Sequence, residues 1–262
     1  MTLWQGVLLG ILQGVTEFLP VSSSGHLALA QMLIPGFEQP GVIFDTLLHA
    51  GTAFAVVWYE RRRITEWFQS ASGRRLLGML FLGTAATAVV ALPLRKVAEQ
   101  AFERPLWVGV ALIVTGLVVA STRFLPGGSV GEGETTWRQS VLVGLVQGIA
   151  IFPGLSRSGA TIAAGLGGGL ERSWAARFSF LLSVPAIAAV TVVEIVETQP
   201  GMAAAGNGFG LATIAGGLAA GITGYFVLQV VIKTVSSHIF HRFAWYCIPL
   251  GILVVVLVLG GR

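Results

Sequence analysis

Charge is what this sequence has least of: Asp, Glu, Lys and Arg make up 11% of its 262 residues, against roughly 25% in an ordinary globular domain. Twelve acids and sixteen bases cannot cover the surface of a soluble protein this size. Cysteine is scarcer still, with Cys247 alone, and this excludes a secreted disulfide scaffold. Apolar residues reach 54%, which excludes a disordered chain, and the many glycines follow no collagen-like period. No basic patch interleaves with aromatics, so no nucleic-acid partner is expected. Met1-Thr2-Leu3-Trp4-Gln5 lacks the basic start of a secretory signal. What remains is an all-α polytopic membrane protein, with a mean hydropathy of +0.81.

A helix crossing a hydrocarbon core of about 30 Å needs about 20 mostly apolar residues. Six stretches meet that need: Val42–Tyr59, Leu77–Pro93, Leu106–Thr122, Phe178–Ile195, Phe209–Ile232 and Ala244–Leu259. The connectors between them, such as Glu60-Arg61-Arg62-Arg63 and Pro126-Gly127-Gly128, are short, so a single integral membrane domain is expected over 1–262. Two further apolar regions are interrupted. Leu3–Ile34 is broken by Glu17 through His26, and Val141–Gly169 by Phe152 through Gly159. Each run before its break holds roughly 12–14 residues, about 20 Å of helix, too short to cross. Irregular backbone at membrane depth survives only where protein or a wet cavity satisfies its amides. Both regions are therefore read as re-entrant helix hairpins.

The two interrupted regions match at a constant offset of 134. Gln5, Gly10, Gln13, Gly14, Phe18, Ser22, Ser24 and Gly25 fall on Gln139, Gly144, Gln147, Gly148, Phe152, Ser156, Ser158 and Gly159. Phe44, Leu47 and Leu48 fall on Phe178, Leu181 and Leu182 with no gap. This predicts an internal duplication, with repeat 1 about 1–125 and repeat 2 about 135–262. Three spans lie between the hairpins, so the second copy enters from the opposite face, giving an inverted-topology repeat with a site near the midplane. Each half is then a hairpin plus three transmembrane helices. Eleven Lys and Arg fall on the side holding 60–75, 123–138, 171–177 and 233–243; only Arg95, Lys96, Arg104 and Arg262 fall on the other. The first side is predicted to be cytoplasmic. The tryptophans Trp58, Trp67, Trp107, Trp137 and Trp245 lie near segment ends, as an aromatic belt would.

Subtracting the shared scaffold leaves the polar differences: Glu17 faces Ile151, Ser23 faces Arg157, and His26 faces Ala160. Ionisable groups at membrane depth are costly and usually functional. Arg157 lies among serines and glycines directly before a helix-like run, where backbone amides attract anions. Its guanidinium can hold two phosphate oxygens at once, and Ser156, Ser158 and Thr161 add neutral donors; Ser22 and Ser24 stand at the matching places of the first loop. The alternative is that Arg157 only pairs with Glu17 and pins the hairpins together. Ser23 and His26 are three apart, close enough for imidazole to contact hydroxyl and activate it. Glu17 is suited to orienting His26, to serving as base for water, or to holding a divalent cation with Gln13. Asp45 and His49, one turn apart, read as supporting partners or a structural pair. Glu194 is expected at the interface, and His238 and His241 at lipid headgroups.

These residues resemble a known family, the undecaprenyl-pyrophosphate phosphatases, also called bacitracin-resistance proteins. The resemblance rests on Gln13-Gly14-Val15-Thr16-Glu17 running through Ser22-Ser23-Ser24-Gly25-His26, on Pro153 through Thr161, and on Phe44–Gly51 and Phe178–Pro185. It implies a hydrolase that removes the terminal phosphate of undecaprenyl diphosphate, in the bacterial inner membrane, with its site open to the outer side. It implies central roles for Glu17, Ser23, His26 and Arg157, and dependence on magnesium or calcium. Many members carry an acid where this chain has Gln13, which weakens a two-carboxylate metal site. The competing class, a lipid or small-molecule transporter or flippase, has the topology but needs no nucleophile. Small-residue runs at Gly165–Gly169 and Gly216–Gly221 permit close helix contacts, within one chain or in a homodimer.

Overall fold

The computed structural model describes residues 1–37, 42–102, 104–197 and 210–261; Phe209 and Arg262, named above, lie outside them. These residues form ten α-helices: α1 (Leu3–Phe18), α2 (Ser23–Leu33), α3 (Val42–Gln69), α4 (Ala71–Phe102), α5 (Pro105–Ser121), α6 (Trp137–Ile149), α7 (Arg157–Gly167), α8 (Arg172–Glu197), α9 (Leu211–Ser236) and α10 (Ala244–Leu259). Among the described residues the only β pairing is a bridge between Val130 and Leu170. The protein is all-α. Five helices are long and apolar enough to cross a membrane: α4, α8, α9, α5 with its 3₁₀ extension to Phe124, and α10 with the turn before it. Large apolar side chains such as Phe81, Val89, Leu92, Leu218, Ile222 and Phe226 stand exposed along them. A soluble monomer rarely shows such a surface, whereas lipid accepts it.

Three details differ from the sequence reading. Glu60-Arg61-Arg62-Arg63 is no connector, because α3 runs unbroken from Val42 to Gln69. These residues are good helix formers, and Glu60 is buried, paired with both Arg63 and Arg177. Pro93 does not end its span; α4 continues through it for 32 residues, about 48 Å at 1.5 Å per residue. Trp67 is not in the aromatic belt. It is buried, with its ring N–H donated to Glu132, while Trp58, Trp107, Trp137 and Trp245 are exposed.

Both interrupted regions are helix–break–helix, and the same chemistry starts each arm. Gln5 Oε1 accepts from the Thr2 amide at 2.8 Å, and Gln139 Oε1 accepts from the Thr136 amide at 2.8 Å; this pairing satisfies a helix-start amide that would otherwise lack a partner. The breaks are shorter than expected, four residues after Phe18 and seven after Ile149. Helix resumes at Ser23 and at Arg157, which the offset of 134 had aligned. Ser22 and Ser156 cap these second arms, each hydroxyl accepting from the amide three residues on, Gly25 at 3.3 Å and Gly159 at 3.1 Å. The unlike residues Ser23 and Arg157 thus each open a helix.

Glycine contacts set the packing. α1 packs on α9 and α6 on α4. A methyl group added at Gly10 would lie 2.2 Å from the Gly216 carbonyl oxygen, and one at Gly144 2.2 Å from that of Gly83. α5 packs on α10, and α3 on both α8 and α9. The glycines of the Gly216–Gly221 run pack within the chain, against α1 and α3. The matched residues Phe44 and Phe178, and Leu48 and Leu182, are fully buried.

Candidate active site

The two breaks meet at their tips. Ser158 Oγ donates to the Leu19 carbonyl at 3.0 Å, and the Gly154 amide donates to Ser22 Oγ at 3.1 Å. Gly154 has φ +91°, a conformation that suits glycine, and a Cβ there would press on the Val108 carbonyl at 2.5 Å. The loops can interlock this closely because the residues at the contact are small.

Glu17, the last but one residue of α1, is the hub of what they enclose. Its carboxylate is buried and accepts from Ser23 Oγ at 2.6 Å, from Gln13 Nε2 at 2.8 Å and from an Arg157 nitrogen across the interface. His49 Nδ1 lies 3.3 Å from the same oxygen that Ser23 contacts and 2.8 Å from Gln13 Nε2. An aliphatic break could not carry a buried carboxylate; an ion pair with several hydrogen bonds can. Arg157 spends Nη2 on Glu17, while its Nη1 is buried with no hydrogen-bond partner among the described residues.

A cavity of about 410 Å³ opens beside this cluster. Glu17, Ser22, Ser23, Ser24, His49, Ser156 and Arg157 line one end. It continues between α4 and α8 along Ala88, Ala91, Leu92, Ile187, Val190 and Val193 to Arg95 and Glu194. Glu194, expected at the interface, accepts from Arg95 at 3.2 Å at that far end. A compact polar end joined to a long apolar groove fits a ligand with a charged head and a hydrocarbon tail.

Several expected contacts are absent. Ser23 does not meet His26, and Glu17 does not orient it. Both imidazole nitrogens are engaged elsewhere, Nδ1 with the Ser22 carbonyl at 2.8 Å and Nε2 with the Tyr246 hydroxyl at 2.7 Å, and His26 does not line the cavity. The reason is local: the ring bonds back to the carbonyl of the cap residue Ser22, and the Ser23 hydroxyl is taken by Glu17. Ser158 and Thr161 are fully buried off the cavity, with their hydroxyls on the Leu19 carbonyl, the Arg157 carbonyl (2.7 Å) and Ser179. Ser158 thereby joins the two loops, and neither residue lines the cavity. Asp45 accepts from Gln31 at 3.0 Å, and His49 alone of that pair joins Glu17. His238 is exposed at the end of α9. Tyr246 was not foreseen, since one phenol in an apolar span carries no positional signal.

The family expectation of a divalent cation is tested by the donor set. Glu17 is the carboxylate bonded within this cluster, and among the described residues no group of three or more His, Cys, Asp or Glu gathers to hold a metal. A calcium cage of about six to eight oxygens does not fit. Magnesium, which takes one or two protein ligands and shares substrate phosphates, does fit. Beside Glu17 the Gln13 Oε1 is buried without a partner.

Comparison with known proteins gives the family. Residues 6–253 match the family model described as bacitracin resistance protein BacA. The chain is similar to the undecaprenyl-diphosphatase of Desulfosudis oleivorans, 43% identical over 266 residues with 94% of this chain and 95% of that one covered. It is similar to those of Desulforapulum autotrophicum, 39% identical with 98% of both chains covered, and of Gemmatimonas aurantiaca, 39% identical with 97% of both covered. By sequence, then, as by the two motifs that build the Glu17 cluster, the chain belongs to the bacitracin resistance protein BacA family.

Proposed function

We propose that this protein hydrolyses undecaprenyl diphosphate to undecaprenyl phosphate and inorganic phosphate, returning the lipid carrier to cell-wall synthesis. One observation carries the reading: Ser23 Oγ is 2.6 Å from the Glu17 carboxylate, beside a buried Arg157 nitrogen that has no partner. A transporter needs a charged pocket but no hydroxyl held on a base.

The prenyl tail lies in the groove between α4 and α8, with the diphosphate at the polar end. Arg157 turns from Glu17 to the terminal phosphoryl group and offsets the charge that grows there. Glu17, freed of its cation, becomes the stronger base. Ser23 Oγ attacks the terminal phosphorus in line and its proton passes to Glu17. The bond from that phosphorus to the bridging oxygen breaks, and undecaprenyl phosphate leaves with the proton that Glu17 held. Water then attacks the phosphoserine and gives its proton to Glu17, which passes it to Ser23 Oγ as the Ser23–phosphorus bond breaks, giving phosphate and free Ser23. Ser24, Ser22 and Ser156 line the polar end, where only Ser24 lacks a bond to a loop amide. Glu17 and Gln13 Oε1 would hold a magnesium ion, which supplies charge neutralisation to the diphosphate when bound.

The architecture is read as an inverted repeat in one membrane domain, repeat 1 about 1–125 and repeat 2 about 135–262. The exchange of partners supports it: α1 of the first half packs on α9 of the second, and α6 of the second on α4 of the first. Lys and Arg distribution supports placing the charged loops on the cytoplasmic side, and the family supports the bacterial inner membrane. Arg95 and Glu194 then mark the outer ends of α4 and α8, so the cavity opens outward. Purified protein in detergent, given undecaprenyl diphosphate, should release phosphate, and Ser23→Ala should abolish the release. Substantial turnover by that variant would exclude Ser23 as nucleophile.

A further inference from the structure

His26 sits one turn after Ser22, and its surroundings fix its tautomer. A carbonyl oxygen only accepts, so Nδ1, 2.8 Å from the Ser22 carbonyl, carries the proton. Nε2 is then the acceptor for the Tyr246 O–H at 2.7 Å. The two rings lie nearly parallel, 16° apart with centroids 5.7 Å apart. Tyr246 stands at the start of α10, 220 residues further along the chain. Its neighbour Cys247 donates its thiol hydrogen to the Pro20 carbonyl at 3.2 Å. The first turn of α10 therefore fastens the first loop at both ends, Pro20 and His26.

Between those anchors lies Ser22, at φ +68° and ψ +96°. A side chain with a Cβ rarely adopts this conformation, and it persists only where its surroundings over-determine it. Four contacts do so here. Ser22 Oγ takes the Gly25 and Gly154 amides, and its carbonyl takes both the His26 amide at 3.1 Å and the His26 ring. This turn aims the next residue, Ser23, at Glu17.

We infer that Tyr246 and His26 are positioning residues, a strap from α10 to the Ser22 carbonyl that holds Ser23 on Glu17. His26 thereby serves through its Nδ1–H bond to backbone and not by accepting the Ser23 proton. The activity test rests on the phosphatase reading above; the spectroscopic one does not.

The experiment uses the full-length protein in detergent with undecaprenyl diphosphate. His26→Ala should lose roughly a hundredfold in kcat. His26→Asn puts an amide N–H where Nδ1 stood, cannot reach Tyr246 and has nothing to titrate; it should lose no more than Tyr246→Phe does, about tenfold in kcat, and keep the wild-type pH profile. Tyr246→Phe should lower kcat roughly tenfold, the scale of one net hydrogen bond. It should change nothing further in the His26→Ala background, as residues acting through one another do. If His26→Asn is as inactive as His26→Ala, or if the Tyr246→Phe effect persists undiminished without His26, the strap is overturned. Independently of turnover, ¹⁵N NMR of His-labelled protein should find the His26 ring protonated at Nδ1, with this preference weakened by Tyr246→Phe. A ring protonated at Nε2 in the wild type overturns it too, even in a protein that hydrolyses nothing. His26→Asn and Tyr246→Phe both keep the buried loop contacts, so a folding failure of His26→Ala leaves the test intact.

Discussion

Arg157, first residue of α7, reaches across the meeting point of two loops and bonds the carboxylate of Glu17, 140 residues earlier in the chain. The pair does two things. It joins the two loops, and in the proposed reaction a diphosphate would draw the guanidinium from the base, so that the structural and phosphate-binding readings of Arg157 would be two states of one residue.

Arg157→Lys keeps the charge but loses the fork. With one arm instead of two, it cannot hold Glu17 and present a free nitrogen, nor grip two phosphoryl oxygens. We expect kcat/KM to fall about a hundredfold, the scale of losing one preorganised donor to the transferring group. Steady-state phosphate release checks it.

Glu17→Gln retains size and a hydrogen bond but removes the base and the partner of Arg157. Turnover should fall by about 10²–10⁴-fold. Because Arg157 loses its competitor, KM should not rise with it. A proportional rise in KM would argue that Glu17 chiefly binds the substrate.

Much of this was legible beforehand. The offset of 134 located both breaks and aligned Ser23 with Arg157, because capping serines and small residues recur wherever the same turn is built. The partner of Ser23 was not legible. Spacing brings His26 within reach, but the positive φ of Ser22 and the carbonyl it exposes turn the imidazole toward Tyr246 and the hydroxyl toward Glu17. Nor was the continuation of α3 through Glu60–Arg63 legible, since it depends on Arg177, far away in sequence, to pair with buried Glu60.

Packing at the glycine crossings predicts a stability contrast. Gly144→Ala forces a methyl group to 2.2 Å from the Gly83 carbonyl oxygen, whereas Gly133→Ala enters open space. The first should cost about 1–3 kcal/mol as an overpacked contact and lower the thermal midpoint in detergent; the second should leave it unchanged. Equal midpoints would contradict the α4–α6 contact.

Gln13 donates to Glu17 at 2.8 Å, so Gln13→Glu sets two carboxylates side by side. Like charges this close need a cation or a shared proton. Phosphate release by Gln13→Glu should depend more steeply on magnesium than that of the wild type, measured by titration after chelation. Identical titrations would show that this position takes no part in holding a metal.

The most direct measurement is an acid quench of the working enzyme with undecaprenyl diphosphate, followed by peptide mass spectrometry of the first hairpin. A phosphoryl group on Ser23 within the first turnover, absent in Ser23→Ala, is the predicted result. Full activity in Ser23→Ala, with phosphate released and no phosphoserine formed in either protein, would contradict it.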